Sequence, residues 1–281
     1  MSYLIPTTLE DALDALSGPV PVAVIAGGTD WFPAQGERAY GGTLLDVTRV
    51  AGLRGITPHH DGWRIGAATT WSDVLHADLP RAFDGLKQAA REVGSVQIQN
   101  AGTVAGNLCN ASPAADGVPP LLCLDTEVEL SSLRGVRRVA LGAFIAGVRQ
   151  TLRAPDELVT ALYIPPLPAG ARGGFTKIGG RKYLVISVAM VGAVLELSSG
   201  RIASARVAVG AASPVAQRLE VLEQALVGAD LAGALDQVTP ARLSTLSPIS
   251  DVRGSAEYRG EAVAEAIRRT LKLIMEGPSH G

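Results

Sequence analysis

Apolar positions along the first stretch of the chain recur with a helical period. Leu9, Ala12, Leu13 and Leu16 lie three and four apart, behind Thr7-x-x-Glu10, and Gly18-Pro19 stops the run. The spacing predicts a helix with a Thr7/Glu10 capping box. Val20 to Ile25 then reads as a β-branched strand that runs straight into Ala26-Gly27-Gly28-Thr29-Asp30, and Leu44 to Val47 reads as a second strand. A new α+β unit starts near Arg54. It has a strand over Trp63 to Ala67, a short helix capped by Thr70 with Asp73, and a longer helix from Arg81 to Val93. Gln99 to Pro120 reads as loop, and strand character resumes from Glu127 to Leu130. The proline- and glycine-rich run over 165–174 predicts a boundary. Beyond it, Val188 to Leu197 and Ile202 to Val209 flank Ser198-Ser199-Gly200 as a β-hairpin. A helix from Val215 to Val227 and a closing helix from Ala256 to Met275 follow.

Composition narrows the class. At 281 residues the chain is long enough for about two domains. With 47% hydrophobic and 19% charged residues, disorder is not expected. A net charge of −2 leaves no basic surplus for phosphate backbones, which argues against nucleic acid as the partner. Mean hydropathy is +0.23, yet the longest apolar run, Leu184 to Leu197, is broken by Ser187, Gly192 and Glu196. It falls short of the ~20 residues of a membrane span. The N-terminal residues have neither the basic start nor the long apolar core of a secretion signal, so a cytoplasmic protein is expected. The two cysteines, Cys109 and Cys123, are too few for an iron–sulfur or zinc site from this chain alone. They read as small buried hydrophobes, and no metal site and no catalytic acid, base or nucleophile is expected.

Two polar, glycine-rich stretches stand out against this background. Ala26 to Asp30 follows a strand, where successive backbone N–H groups can form an anion-sized nest. It fits neither GxGxxG nor the P-loop spacing. Thr103-Val104-Ala105-Gly106-Asn107-Leu108-Cys109-Asn110-Ala111-Ser112-Pro113-Ala114-Ala115-Asp116 offers hydroxyls, amides and one carboxylate, and lacks the lysines and glutamates of an ordinary surface loop. Together they predict a large ligand with a pyrophosphate, clamped between two units.

These two stretches, Lys177-x-x-x-Arg181, and Ser250-Asp251-Val252-Arg253-Gly254-Ser255-Ala256-Glu257-Tyr258-Arg259 together resemble one family over nearly the whole chain. It is the FAD-binding medium subunit of the molybdenum hydroxylases, the xanthine dehydrogenase and carbon monoxide dehydrogenase family. The resemblance implies an α+β fold. A two-lobed FAD-binding region of the vanillyl-alcohol oxidase, or PCMH, type would cover 1–165, with lobes of about 1–53 and 54–165. A C-terminal domain like that of the carbon monoxide dehydrogenase flavoprotein, an antiparallel sheet with helices, would cover 172–281.

The resemblance also implies the site. The backbone of Ala26, Gly27, Gly28, Thr29 and Asp30 would hold the FAD pyrophosphate. Thr103, Gly106, Asn107 and Asn110 would close on the phosphates and ribityl chain, with Trp31, Val104 and Ala105 inside the same stretches. Asp116 would bond a hydroxyl or polar edge of FAD, and Lys177 would lie near the flavin. Ala105 stands where the family often has glycine, Trp31-Phe32 where Leu-Leu is common, and Tyr183-Leu184 where some members are acidic. Asp251, Arg253 and Tyr258 read as structural, as do Trp63 and Trp71. The function implied is electron transfer by an oxidoreductase subunit. By that resemblance a large molybdopterin subunit oxidises a small substrate of the purine or N-heteroaromatic kind, and [2Fe–2S] clusters of a small subunit pass the electrons to FAD. The reduced flavin discharges to NAD, oxygen or another acceptor, in a dimer of heterotrimers. A stand-alone flavin oxidase of the vanillyl-alcohol oxidase superfamily and a non-catalytic assembly subunit remain the alternatives.

Overall fold

The structure, a computed structural model, describes residues 2–37, 40–182 and 184–276. The first lobe runs β1 (Ser2–Leu4), α1 (Leu9–Ser17), β2 (Val22–Ile25), α2 (Trp31–Gln35) and β3 (Thr43–Asp46). Its three strands form a parallel sheet in the order β1-β3-β2. Ala12, Leu13 and Leu16 of α1 are buried against Leu45, Val47 and Leu53. The cap of α1 is one residue later than the sequence pattern implies. Thr8 accepts from the Asp11 N–H, while the Thr7 carbonyl is taken by the Ala51 N–H at 2.9 Å. The second strand starts at Val22 rather than Val20, because Pro21 brings no N–H to a ladder.

The second lobe is larger. It runs β4 (Ile56–His59), β5 (Gly62–Gly66), α3 (Trp71–His76), α4 (Asp84–Glu92), α5 (Val96–Ala101), α6 (Val104–Asn110), α7 (Val118–Cys123), β6 (Glu127–Ser132), β7 (Gly135–Ala140), α8 (Leu141–Phe144), β8 (Ile145–Gly147), β9 (Gln150–Thr151) and β10 (Leu158–Ile164). Five of its strands form an antiparallel sheet, β4-β5-β10-β6-β7, and β8 and β9 form a separate small hairpin. The capping box of Thr70 and Asp73 on α3 is present with both hydrogen bonds. The helix expected from Arg81 starts as a 3-10 turn over Arg81–Phe83 and becomes α-helical at Asp84.

The stretch expected to be loop, Gln99 to Pro120, holds all of α6, the end of α5 and the start of α7. None is longer than seven residues, too short to stand alone or to show a period. Tertiary contacts hold them. The Val104 N–H donates to the Thr69 carbonyl and the Trp71 N–H to the Gly102 carbonyl.

The remainder carries β11 (Ala171–Ile178), β12 (Ala189–Ser198), β13 (Arg201–Gly210), β14 (Gln217–Arg218), α9 (Glu220–Leu226), α10 (Leu231–Asp236) and α11 (Ala256–Glu276). The strands form one antiparallel sheet in chain order. Ser199 and Gly200, at φ 49° and 77°, make the tight turn between β12 and β13. Val263, Ile267, Leu271 and Ile274 recur along α11 and are buried against this sheet, each worth ~1.5–3 kcal/mol. The start of the helix expected from Val215 is instead β14. Gln217 and Arg218 pair with β13, and the Arg218 guanidinium bonds Glu223 and Asp125. Gly173 and Gly174 of the expected boundary lie inside β11. A Cβ at Gly173 would sit 2.2 Å from the Ala82 carbonyl oxygen, so this strand packs against the second lobe through bare backbone. Among the described residues no helix is long and apolar enough to cross a membrane.

Candidate FAD-binding cleft

The loop after β2 meets the second lobe backbone to backbone. A Cβ on Gly27 would lie 1.8 Å from the Ala101 carbonyl oxygen, and Gly28 turns at φ 65°. This contact brings the two polar stretches to one cavity of about 520 Å3, within the range of small-molecule sites. Ala26, Gly27, Gly28, Thr29, Asp30 and Trp31 line one wall, and Thr103, Ala105, Gly106, Asn107 and Asn110 line the other. Val104 lies in neither. Its side chain is fully buried in the core, a correction to its reading as a binding residue, because the first turn of α6 directs it inward.

Hydrogen-bond accounting separates this cleft from an ordinary loop pair. Among the described residues, the N–H groups of Gly27, Gly28, Thr29 and Asp30 donate to no protein acceptor. Across the cleft, Thr103 caps α6 by accepting from the Gly106 N–H at 3.0 Å. The Asn107 Oδ1 atom is buried with no partner. Unmet polar groups in a concave wall are costly unless a ligand or water completes them.

Asp116 and Lys177 are brought together, but not onto this lining. Lys177 Nζ donates to Asp116 Oδ2 at 2.6 Å and to the Glu92 carbonyl at 3.2 Å, and Ser187 Oγ donates to Asp116 Oδ1 at 2.7 Å. Both side chains are more than nine-tenths buried. Burial pushes the Asp116 carboxyl up, opposed by the neighbouring ammonium. The pair ties β11 to the end of the second polar stretch, directly behind the cleft: a Cβ on the next residue, Gly117, would lie 3.0 Å from Asn107 Oδ1.

Several lining residues escape the sequence reading. Trp71, read as core, is buried and also lines the cavity. Cys109, read as a buried hydrophobe, is exposed in the cleft wall. The enclosing cleft walls push its thiol up to about 11. Arg149, Thr151 and Arg153 reach the cavity from the β8–β9 hairpin and the residues after it. The signal for this arm was a Gly147-Val148-Arg149-Gln150 turn between short, unpatterned segments.

Comparison with known proteins now decides the family. Residues 1–167 match the family model described as the FAD binding domain in molybdopterin dehydrogenase, and residues 175–274 match the CO dehydrogenase flavoprotein C-terminal domain. The chain belongs to the FAD-binding medium subunits of the molybdenum hydroxylase family. It is 33% identical to the nicotine 6-hydroxylase medium subunit of Paenarthrobacter nicotinovorans, over 96% of this chain and 95% of that protein. It is 32% identical to the xanthine dehydrogenase FAD-binding subunit of Escherichia coli O157:H7, over 96% and 94%. It superimposes with a TM-score of 0.89, at 26% identity, on a chain of the Hydrogenophaga pseudoflava carbon monoxide dehydrogenase that lacks the Mo-pyranopterin moiety, covering 98% and 97%. This medium subunit is therefore an oxidoreductase component with FAD as its cofactor.

The cleft of the medium subunit fits that cofactor. Free backbone N–H groups and the Arg149 guanidinium suit a pyrophosphate, and the unpaired Asn107 oxygen suits a ribityl or ribose hydroxyl donor. The Trp31 ring, edge-on to Phe32 and Tyr40 at 5.1 and 5.3 Å, replaces an aliphatic pair with an aromatic wall. Tyr183 lies outside the described residues. Its neighbour Leu184 accepts at its carbonyl from Arg181.

Proposed function

We propose that this chain binds FAD in the cleft between its first two lobes and serves as the electron-transfer subunit of a molybdenum hydroxylase. A single observation carries the reading: two stretches far apart in sequence put their unmet N–H and amide groups on one cavity. When bound, FAD supplies the redox chemistry, taking two electrons and releasing them to a second partner. The protein's own task is to bind and orient it. The N–H groups of Gly27 to Asp30 hold the pyrophosphate. Asn107 and Asn110 hold hydroxyl and phosphate oxygens across the cleft, and Trp31 and Trp71 close the apolar wall. The Asp116–Lys177 pair acts from behind, fixing the C-terminal sheet against the second polar stretch at the flavin end. No residue of this chain is assigned as acid or base on the organic substrate.

The partners in this reading are a small iron–sulfur subunit and a large molybdopterin subunit, in a cytoplasmic dimer of heterotrimers. The domain division falls at 165–172. An N-heteroaromatic substrate is favoured because relatives named for nicotine, xanthine and nicotinate share about a third of this sequence. NAD or oxygen is the terminal acceptor.

The natively purified protein should show flavin bands, release free FAD, and bring two further chains and iron–sulfur absorbance with it. The double variant Gly28→Val with Gly106→Val should empty the cleft, since its Cβ groups would crowd Phe32 at 2.6 Å and Thr103 Oγ1 at 2.8 Å. Full FAD occupancy in that variant would refute the site, and a colourless wild-type chain that takes up no FAD would refute the function.

A further inference from the structure

The β8–β9 hairpin lays a cation on the cleft at the cost of an unfavourable backbone. Arg149 sits at its turn with φ 59°, a left-handed conformation that arginine seldom adopts. Its N–H donates to the Ala111 carbonyl at 2.9 Å, which fastens the hairpin to the end of α6. Its Nη1 donates to the Asn110 carbonyl at 3.2 Å and also to the Asn110 side-chain oxygen. An amide whose oxygen is held by a guanidinium offers its NH2 group as a donor elsewhere. Arg149 and Asn110 both line the cavity.

The charges around that cavity single out Arg149. Asp30, Arg149 and Arg153 are the charged lining residues among those described. Arg153 is committed to its own loop, with Nη1 donating to the Ala154, Pro155 and Glu157 carbonyls at 3.1, 3.3 and 2.7 Å. Arg149 differs. Its guanidinium partners are both on one cavity-lining residue, Asn110, and its Nε and Nη2 groups, like those of Arg153, donate to no described acceptor. Among the described residues the guanidinium bonds Asn110 alone, at the C-terminal end of α6 and on the cavity wall, which leaves the rest of its edge toward the cleft.

We infer that Arg149 reads the diphosphate of the bound cofactor. Its open guanidinium edge meets the pyrophosphate directly, and its grip on Asn110 turns that amide into a second donor toward the same group. The pair thus selects a flavin dinucleotide over the mononucleotide and over riboflavin. This inference rests on the FAD reading of the cleft and names the residue that sets its specificity.

The test uses the full chain stripped of flavin, titrated with FAD, FMN and riboflavin by fluorescence quenching at low and high salt. Arg149→Gly is the informative variant. Glycine accepts the left-handed backbone at no cost, so its Tm should equal or exceed that of the wild type. Its FAD affinity should fall roughly tenfold to a hundredfold, the worth of a hydrogen bond to a charged group. Its FMN and riboflavin affinities should stay as they were, and the salt dependence of FAD binding should weaken. Arg149→Lys should recover part of the FAD affinity, because it keeps the charge without the planar fork. Wild-type FAD affinity in Arg149→Gly, or an equal loss for all three flavins, would overturn the inference. A wild-type chain that binds no flavin at all would overturn the FAD reading, and this inference with it.

Discussion

The loop at Ala26–Asp30 and the corner at Ser250–Arg259 are both dense in polar residues, and both carry a motif of the same family. Their hydrogen-bond balance differs. In the first, four consecutive N–H groups find no acceptor among the described residues. In the second, the groups meet one another, with the buried Arg259 Nε the exception among the described residues. Asp251 accepts from the Arg253 N–H at 2.8 Å and from the guanidinia of Arg253 and Arg259 at 3.0 and 2.7 Å. Ser250 and Ser255 cap the start of α11 by accepting from the Ala256 and Tyr258 N–H groups. Arg259 is buried and reaches past the corner to the Val188 and Ala211 carbonyls at 2.7 and 3.0 Å. One motif leaves its polar groups for a ligand, and the other spends them on holding the last helix to the sheet. Motif strength does not tell these roles apart, whereas the accounting of donors and acceptors does.

Substitutions at the two places should therefore fail in different ways. The largest effect is expected for Gly27→Val. Its Cβ would lie 1.8 Å from the Ala101 carbonyl oxygen, with backbone on both sides and nothing able to yield. FAD uptake should be abolished, as read by flavin absorbance after reconstitution. Arg259→Met comes next. It strands two buried carbonyls and removes one of the two guanidinia on Asp251, and should cost about 3 kcal/mol in urea unfolding. FAD affinity in the folded fraction should not change, and a parallel loss of affinity would erase the distinction drawn above.

Asp251→Asn is a gentler probe of the same corner. The Arg253 N–H and the Arg259 guanidinium hold the Asp251 carboxyl at about 2, below its usual 3.8. A lowered folded-state pKa stabilises the charged form above pH 4 and loses that contribution as pH falls toward 2. The stability gap between wild type and Asp251→Asn should be constant near neutrality, smaller than that of Arg259→Met, and should close between pH 4 and 2. A gap that persists at pH 2 would mean the carboxylate charge is not its source. The smallest effect belongs to Arg269→Ala, which removes an exposed pair with Glu265 on α11 and should change stability by less than ~0.5 kcal/mol.

Elements with a strong local signal were legible in the sequence. The closing helix, the Ser199-Gly200 hairpin and the Thr70 cap each show in a few neighbouring residues. The helices α5, α6 and α7 were not legible, because six or seven residues show no period and tertiary contacts hold them, the Thr69 and Trp71 backbone bonds at the α5–α6 junction and packing on β12 and β13 for α7. For the same reason Val104 reads as part of a binding loop and turns out to face the core. At the site, the glycines and asparagines marked both walls. The third contributor, the Arg149 hairpin, carries no motif, and its role depends on a backbone angle and a contact across 39 residues. Likewise the Asp116 and Lys177 positions are each visible in sequence, but their mutual pairing across 61 residues is not.

If the unmet N–H groups of Gly27 to Asp30 and the unmet Asn107 oxygen are a cofactor site, and the equally polar C-terminal corner is not, FAD must act on the first two stretches alone. Hydrogen–deuterium exchange on the full chain, with and without saturating FAD, tests it most directly. The account predicts that FAD slows exchange over 26–31 and 103–110 and leaves 250–259 unaltered. Unchanged exchange over both cleft stretches under saturating FAD would contradict it.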